Sequence, residues 1–182
     1  MQLILVLVLA ALSFDAAADA KAGEKKAQLC LLCHKPGNVM AAAPLLEAQP
    51  AKYLVAATTA YKTGKRPDPV MQTNVAKLSA RDIADISDYF ASKAPIASGR
   101  TADAAKVAAG ETKTRELQCA TCHQANYSGI DLVPRLAGQT AGYLIAQLEA
   151  FAFGRRTHPT ASMPSASSGD AENVASYLST LR

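Results

Sequence analysis

All four cysteines of this 182-residue chain fall in two pentapeptides, Cys30-Leu31-Leu32-Cys33-His34 and Cys119-Ala120-Thr121-Cys122-His123. None is left over for a disulfide. Both pentapeptides read C-x-x-C-H, the pattern through which a c-type haem is attached. The spacing follows from the chemistry: two thiols on one helical turn reach the two vinyl groups of a haem as thioethers, and the next residue presents an imidazole nitrogen to the iron. Two such motifs imply two covalently bound haem c groups, with iron on His34 and His123. A zinc site would instead gather the two cysteine pairs into one four-ligand set, with no use for a histidine directly after each pair. A thioredoxin-like dithiol would need a βαβ pattern around its C-x-x-C, and the chain has no strand-rich segment.

The N-terminus agrees with attachment outside the cytoplasm. Leu3 to Phe14 form a short apolar run, followed by small residues ending in Ala18-Asp19-Ala20. This is the layout of a secretory signal with an A-x-A cleavage pattern, placing the signal at residues 1–20 and the mature chain in the periplasm. The alternative is an uncleaved anchor, although the run is shorter than the ~20 apolar residues that span a bilayer. Residues 21–182 carry 19 Lys and Arg against 13 Asp and Glu. Such a basic surface suits acidic protein patches or an anionic membrane surface. The cations are scattered, with no run that tracks a phosphate backbone, which argues against nucleic acid.

The two halves repeat one another beyond the haem motifs. Ala22-Gly23-Glu24 precedes the first motif and Ala109-Gly110-Glu111 the second; Pro44 to Arg66 aligns without a gap to Pro134 to Arg156. That alignment pairs Gln49 with Gln139, Tyr53-Leu54 with Tyr143-Leu144, and Gly64-Lys65-Arg66 with Gly154-Arg155-Arg156. The repeat divides the chain into domains at 21–95 and 104–182, joined by a linker at 96–103 with turn-forming and small polar residues. Each repeat reads as all-α. First helices run from Gly23 to Cys33 and from Gly110 to Cys122 into the haem motif. Second helices carry the stripes Tyr53, Leu54, Ala57, Tyr61 and Tyr143, Leu144, Gln147, Leu148, Phe151. Last helices follow Ser79, an N-cap with Asp82 three residues on, and carry Val174, Tyr177, Leu178 and Leu181 in the second half.

A haem iron held by one histidine needs a sixth ligand if it is to shuttle electrons, and methionine raises its potential. The first half offers Met40 and Met71. Met40 stands too soon after His34 to travel round the porphyrin edge, which leaves Met71. In the second half Met163 is the lone methionine, at a comparable distance from His123, with His158 as a rival. Pro44 and Pro134 follow their histidines closely enough for a loop carbonyl to accept the imidazole N–H, a contact that fixes ring orientation. Lys65-Arg66 and Arg155-Arg156 are candidates for haem propionates, for a docking face, or for plain surface charge.

These residues, above all Pro134-Arg135-Leu136-Ala137-Gly138-Gln139 with Tyr143-Leu144, resemble the dihaem cytochrome c family of the c4 type over nearly the whole mature chain. The resemblance implies two tandem class I cytochrome c domains, each wrapped around one covalently attached haem c and related by pseudo-twofold symmetry. It implies a carrier that passes electrons between periplasmic or membrane-bound redox partners, toward a terminal oxidase. It also implies Cys30, Cys33, His34, Met71, Cys119, Cys122, His123 and Met163 as haem-binding residues. The main alternative is the electron-transfer subunit of an oxidoreductase such as a thiosulfate or sulfide dehydrogenase. A haem enzyme of the peroxidase type would need an open iron position and acid/base groups, which two methionines disfavour.

Overall fold

The computed structural model describes residues 18–35, 37, 43–98, 101–158 and 168–182. Nine helices occur among them: α1 Ala20–Lys26, α2 Gln28–Leu31, α3 Ala51–Lys62, α4 Pro69–Val75, α5 Ala80–Ala91, α6 Ala104–Glu116, α7 Ala120–His123, α8 Ala141–Ala152 and α9 Ser168–Thr180. The described residues contain no strand, only an isolated bridge between Ile130 and Val133. The all-α class is as expected.

Local chemistry explains the helix starts. Ser79 caps α5 with a full capping box, its hydroxyl accepting from the Asp82 N–H while the Asp82 carboxylate accepts from the Ser79 N–H. Asp68 caps α4 and is followed by Pro69, whose fixed φ suits the first helical position. Asp103 caps α6 by accepting from the Lys106 N–H.

The first helices differ between halves. α1 and α2 are nearly continuous: the Ala27 N–H reaches Gly23 O at 2.8 Å and the Leu31 N–H reaches Ala27 O at 3.1 Å. In the second half the expected single helix from Gly110 to Cys122 is broken. Gln118 adopts φ 53°, and the Cys119 N–H returns to Thr114 O at 3.1 Å, a Schellman-type ending that separates α6 from α7. The physical reason is length: two more residues separate Gly110 from Cys119 than Gly23 from Cys30, and the left-handed residue absorbs them.

Each half is built on a crossing of its first and last helix, α1 on α5 and α6 on α9. A Cβ on Gly23 would stand 1.9 Å from Asp85 O, and one on Gly110 would stand 1.9 Å from Asn173 O. Only glycine lets the backbones meet this closely. Against the first crossing pack Ala27, Leu54, Tyr89 and Phe90; against the second, Tyr127, Ala137, Leu144, Val174, Ala175 and Leu178. The first crossing is also pinned by charge. Asp85, 2% exposed, receives Lys26 at 2.7 Å, Arg81 at 2.8 Å and the Asp19 N–H at 2.9 Å.

Gly110→Ala should cost about 3 kcal/mol, because the added methyl meets rigid backbone rather than a movable side chain. Denaturant unfolding of the holoprotein, followed by its Soret band, checks this; a change under about 1 kcal/mol would mean that the helices separate at little cost.

Candidate haem sites

Each pentapeptide forms one helical turn. The Cys33 and His34 N–H groups return to Cys30 O at 3.1 and 2.9 Å, and those of Cys122 and His123 return to Cys119 O at 3.4 and 3.1 Å. Both thiols of each pair therefore sit on one turn, and no disulfide joins any of them.

His34 and His123 are each 8% exposed. His34 Nδ1 lies 2.8 Å from Pro44 O, and His123 Nδ1 lies 2.8 Å from Pro134 O. A carbonyl oxygen can only accept, so Nδ1 carries the proton and Nε2 keeps its lone pair, the arrangement a metal-binding imidazole needs. Burial pushes both histidines below the usual range, more than the proline carbonyls raise them. Burial thus favours the neutral ring at both positions. The Pro134 carbonyl is itself aimed by a tight loop, in which Gly129 (φ +71°) leaves no room for a Cβ against Pro134, and Leu136 and Ala137 both donate to Tyr127 O.

On the far side, the halves differ. Met71 is half-buried in the first turn of α4, and its N–H donates to the Asp68 carboxylate at 2.9 Å. That carboxylate is close enough to His34 to act on its charge. In the second half the position matching Asp68, two residues past the gapless repeat, is His158, whose ring centre lies 6.4 Å from that of His123 and 5.1 Å from that of Phe151. Met40 and Met163 lie outside the described residues.

The residues present fit a haem in each half. In each half two thiols and an imidazole whose Nδ1 is already engaged by a proline carbonyl come from one turn. A buried guanidinium nitrogen, Arg135 Nη2, finds no partner among the described residues. An N–H donor left unpaired in a buried place is costly, and a haem propionate is an acceptor of the matching charge. Sequence reading does not single out Arg135 for this role; its one sign there is a charged residue inside an apolar repeat segment.

The two sites are held together by a reciprocal exchange. Gln139 Oε1 accepts from the Leu45 N–H at 2.7 Å and its Nε2 donates to Leu45 O at 2.9 Å; Gln49 Oε1 accepts from the Arg135 N–H at 2.9 Å and its Nε2 donates to Arg135 O at 2.8 Å. Each glutamine is the other's counterpart in the repeat, so this is a pseudo-twofold contact. Both are nearly fully buried. Beside it, Arg66 donates to Tyr143 OH at 3.0 Å and to Gln147 Oε1 at 2.8 Å, and Arg156 donates to the same Gln147 oxygen at 2.7 Å. Arg66 and Arg156 therefore turn into the junction between the halves, whereas Lys65 and Arg155 stay exposed. Burial raises the Tyr143 hydroxyl's affinity for its proton; at Tyr53, Arg156 and Arg66 outweigh burial and lower it.

A cytochrome c family model matches residues 107–182. A cytochrome c4 from Pseudomonas aeruginosa is 38% identical, the match covering 79% of this chain and 76% of that protein. The chain belongs to the cytochrome c4 family. The crystal structure of reduced recombinant cytochrome c4 from Pseudomonas stutzeri superimposes with a TM-score of 0.81 at 31% identity, covering 91% of this chain and all of that one. A thiosulfate dehydrogenase electron acceptor from Thiomonas intermedia is 29% identical, over 84% of this chain and 76% of that protein. Membership carries with it two class I cytochrome c folds, two covalently bound haem c groups and the work of an electron carrier rather than an enzyme. Cytochrome c4 proteins are periplasmic or membrane-associated, and among the described residues no helix is long and apolar enough to cross a membrane.

A haem held by Cys30, Cys33 and His34 and another held by Cys119, Cys122 and His123 would supply one-electron ferric/ferrous chemistry. The protein's part is to keep His34 and His123 neutral and oriented, exclude water from them, and hold one site at a fixed place relative to the other. Gln139→Ala would leave the Leu45 N–H and carbonyl unpaired and should cost on the order of 2–4 kcal/mol. Unfolding of the holoprotein should then split into two transitions, one per half; a single unshifted transition would show that the exchange does not couple them.

Proposed function

We propose that the chain carries electrons between redox proteins in the periplasm, with Cys30, Cys33 and His34 holding one haem and Cys119, Cys122 and His123 the other. The observation that supports this most is the pair of matching histidine settings, each ring with its Nδ1–H on a proline carbonyl. Met71 is the sixth ligand of the first iron, and Met163, its counterpart in the repeat, that of the second. Delivery toward a membrane-bound terminal oxidase is what the family resemblance implies; service as the acceptor of a dehydrogenase fits the Thiomonas relative, a thiosulfate dehydrogenase electron acceptor. The haem domains occupy 21–95 and 104–182, and the segment 96–103 joins them.

The export signal ends before Asp19 in this reading rather than after Ala20. Asp19 caps α1 through its side chain and donates its backbone N–H to the buried Asp85, so a cut after Ala20 removes both contacts. N-terminal sequencing of the exported protein should begin at Asp19, and a start at Lys21 would restore the later cut.

Denatured holoprotein should retain two haems by mass, because thioether bonds survive unfolding, and one after joint replacement of Cys119 and Cys122 by Ala. Zero or one haem on the wild type would sink the assignment.

A second reading of the sixth ligand rests on one specific observation. Two imidazoles on opposite sides of an iron, each nitrogen about 2 Å from the metal, have ring centres about 6 Å apart, close to the separation of His123 and His158. Under the Met163 assignment, Met163→Ala removes the far-red ferric band of methionine ligation from the second haem and lowers its potential, while His158→Ala leaves both unchanged. The reverse pattern would make His158 the ligand.

A further inference from the structure

The near-continuous helix α1–α2 has two unlike sides. Gly23 and Ala27 are buried against α5 and its surroundings. At 3.6 residues per turn, Lys21, Lys25, Leu29 and Leu32 fall on the outward side, and all four are exposed. Leu29 is 74% exposed and Leu32 65%, large apolar side chains left in water on either side of Cys30. They flank the cysteine turn through which a haem would be attached. Lys35, directly after His34, is exposed as well. Glu24 lies at the flank of this face, and Lys26 is engaged by Asp82 and Asp85.

The second half lacks this face. Counted from Gly110 and from Cys119, the corresponding positions are Ala108, Thr112, Gln118 and Thr121, without a charge or a large apolar side chain. The imbalance extends to the halves as wholes: residues 21–95 hold eleven Lys and Arg against six Asp and Glu, residues 104–182 seven against six. Single exposed apolar side chains, such as Ile130, Leu132 and Phe153 in the second half, are ordinary surface, but two of them on one helix face in line with cations form a contiguous patch of the kind that marks an interaction site. Weak redox encounters use small interfaces. In them an apolar contact excludes water while charges around it steer the approach.

We propose that the outward face of α1–α2, centred on Leu29 and Leu32 and flanked by Lys21, Lys25 and Lys35, is the docking surface for an acidic redox protein. The first haem is then the port through which that partner exchanges electrons, and the second haem communicates with it across the glutamine junction. This rests on the electron-carrier reading above. The occupant is a protein with a carboxylate-rimmed apolar surface, because the face pairs an exposed apolar centre with an excess of cations.

The test uses full-length holoprotein and reduced flavodoxin, an acidic one-electron donor, in stopped-flow mixing across a range of ionic strength. Lys21→Gln with Lys25→Gln, the same loss of two charges that the control pair below brings, should slow reduction at least fivefold at low salt and flatten the salt dependence. Leu29→Gln should slow it severalfold with the salt slope kept. The control pair, Thr112→Glu with Gln118→Glu, should stay within twofold of wild type. Each variant must show two covalent haems and wild-type potentials, which separates docking from damage to the haem site. Equal slowing by both charge pairs would overturn the proposal, since net charge alone would then govern the rate. So would unaltered rates in the Lys variant, including the case where it loses only its sedimentation with phosphatidylglycerol vesicles, which would assign the face to anionic lipid. Failure of the wild type to accept electrons from either flavodoxin or dithionite would instead strike the carrier reading, and this inference with it.

Discussion

The rest of each half depends on a helix crossing so close that the point of contact has no side chain. Gly23 against Asp85 and Gly110 against Asn173 bring backbone to backbone at distances no Cβ would tolerate. A glycine inside a helix costs about 1 kcal/mol relative to alanine, and the offset comes from what the crossing organises. The first helix leads directly into the cysteine turn, so fixing its angle on the last helix fixes where the thiols and the imidazole point. The last helix in turn sets the loop that follows the histidine. The Ala48 N–H donates to Phe90 O and the Gly138 N–H to Leu178 O, the same bond in both halves. Both donors have positive φ, at Ala48 (56°) and Gly138 (67°). In this way a contact far from the iron position determines the segment that carries the proline carbonyl.

The junction between halves uses main-chain recognition at its centre and side-chain charge at its edge. Each glutamine amide satisfies both the donor and the acceptor of one residue in the opposite half, so four buried polar groups are paired by two side chains. Such a contact carries geometric specificity, since a slip in any direction leaves several groups unpaired at once. Next to it, Arg66 reaches Tyr143 and Gln147, Arg156 reaches Gln147, and the two guanidinium groups also lie over Tyr61 and Phe151 respectively. Electron exchange between two centres falls off steeply with separation, and a junction of this kind holds the separation constant.

Much of this architecture is legible in the amino-acid sequence. The haem motifs name the attachment residues, the gapless match from Pro44 to Arg66 reveals the duplication, and Ser79 with Asp82 marks the start of α5. The spacing of Pro44 and Pro134 from their histidines points to a loop carbonyl at each imidazole, and the structure shows it to be the proline's own. Other features are hidden for identifiable reasons. Gln49 and Gln139 are visible as a repeat pair, but a buried glutamine looks like a surface one until its partner, 86 or 94 residues away, is known. The break at Gln118 is masked because glutamine is an ordinary helix former and the left-handed turn arises from the length of chain on either side. Asp85 carries no sign of burial, since its cations come from Lys26 on another helix as well as from Arg81 one turn earlier on its own.

The duplicated halves share a frame without sharing their surfaces, and the junction shows how. Because Gln49 and Gln139 read only the backbone of residues 135 and 45, the side chains at those positions are released from the symmetry. One is Leu45, 1% exposed in apolar packing; the other is Arg135, a buried guanidinium with a nitrogen still unpaired among the described residues. The same freedom separates Asp68, the cap of α4 beside Met71, from His158 at the matching place, whose ring centre lies 6.4 Å from that of His123. It separates the Lys- and Leu-bearing face of α1–α2 from its uncharged counterpart, and the charged Asp85 from the neutral Asn173. The linker follows suit: Ser98 donates to Gly138 O at 2.9 Å and to Ser179 O at 3.2 Å, so the connecting segment packs on the second half. A junction specified through main-chain atoms keeps the two haem-binding halves in fixed register while the residues around each diverge, and that divergence gives each half a different surface to present to a partner.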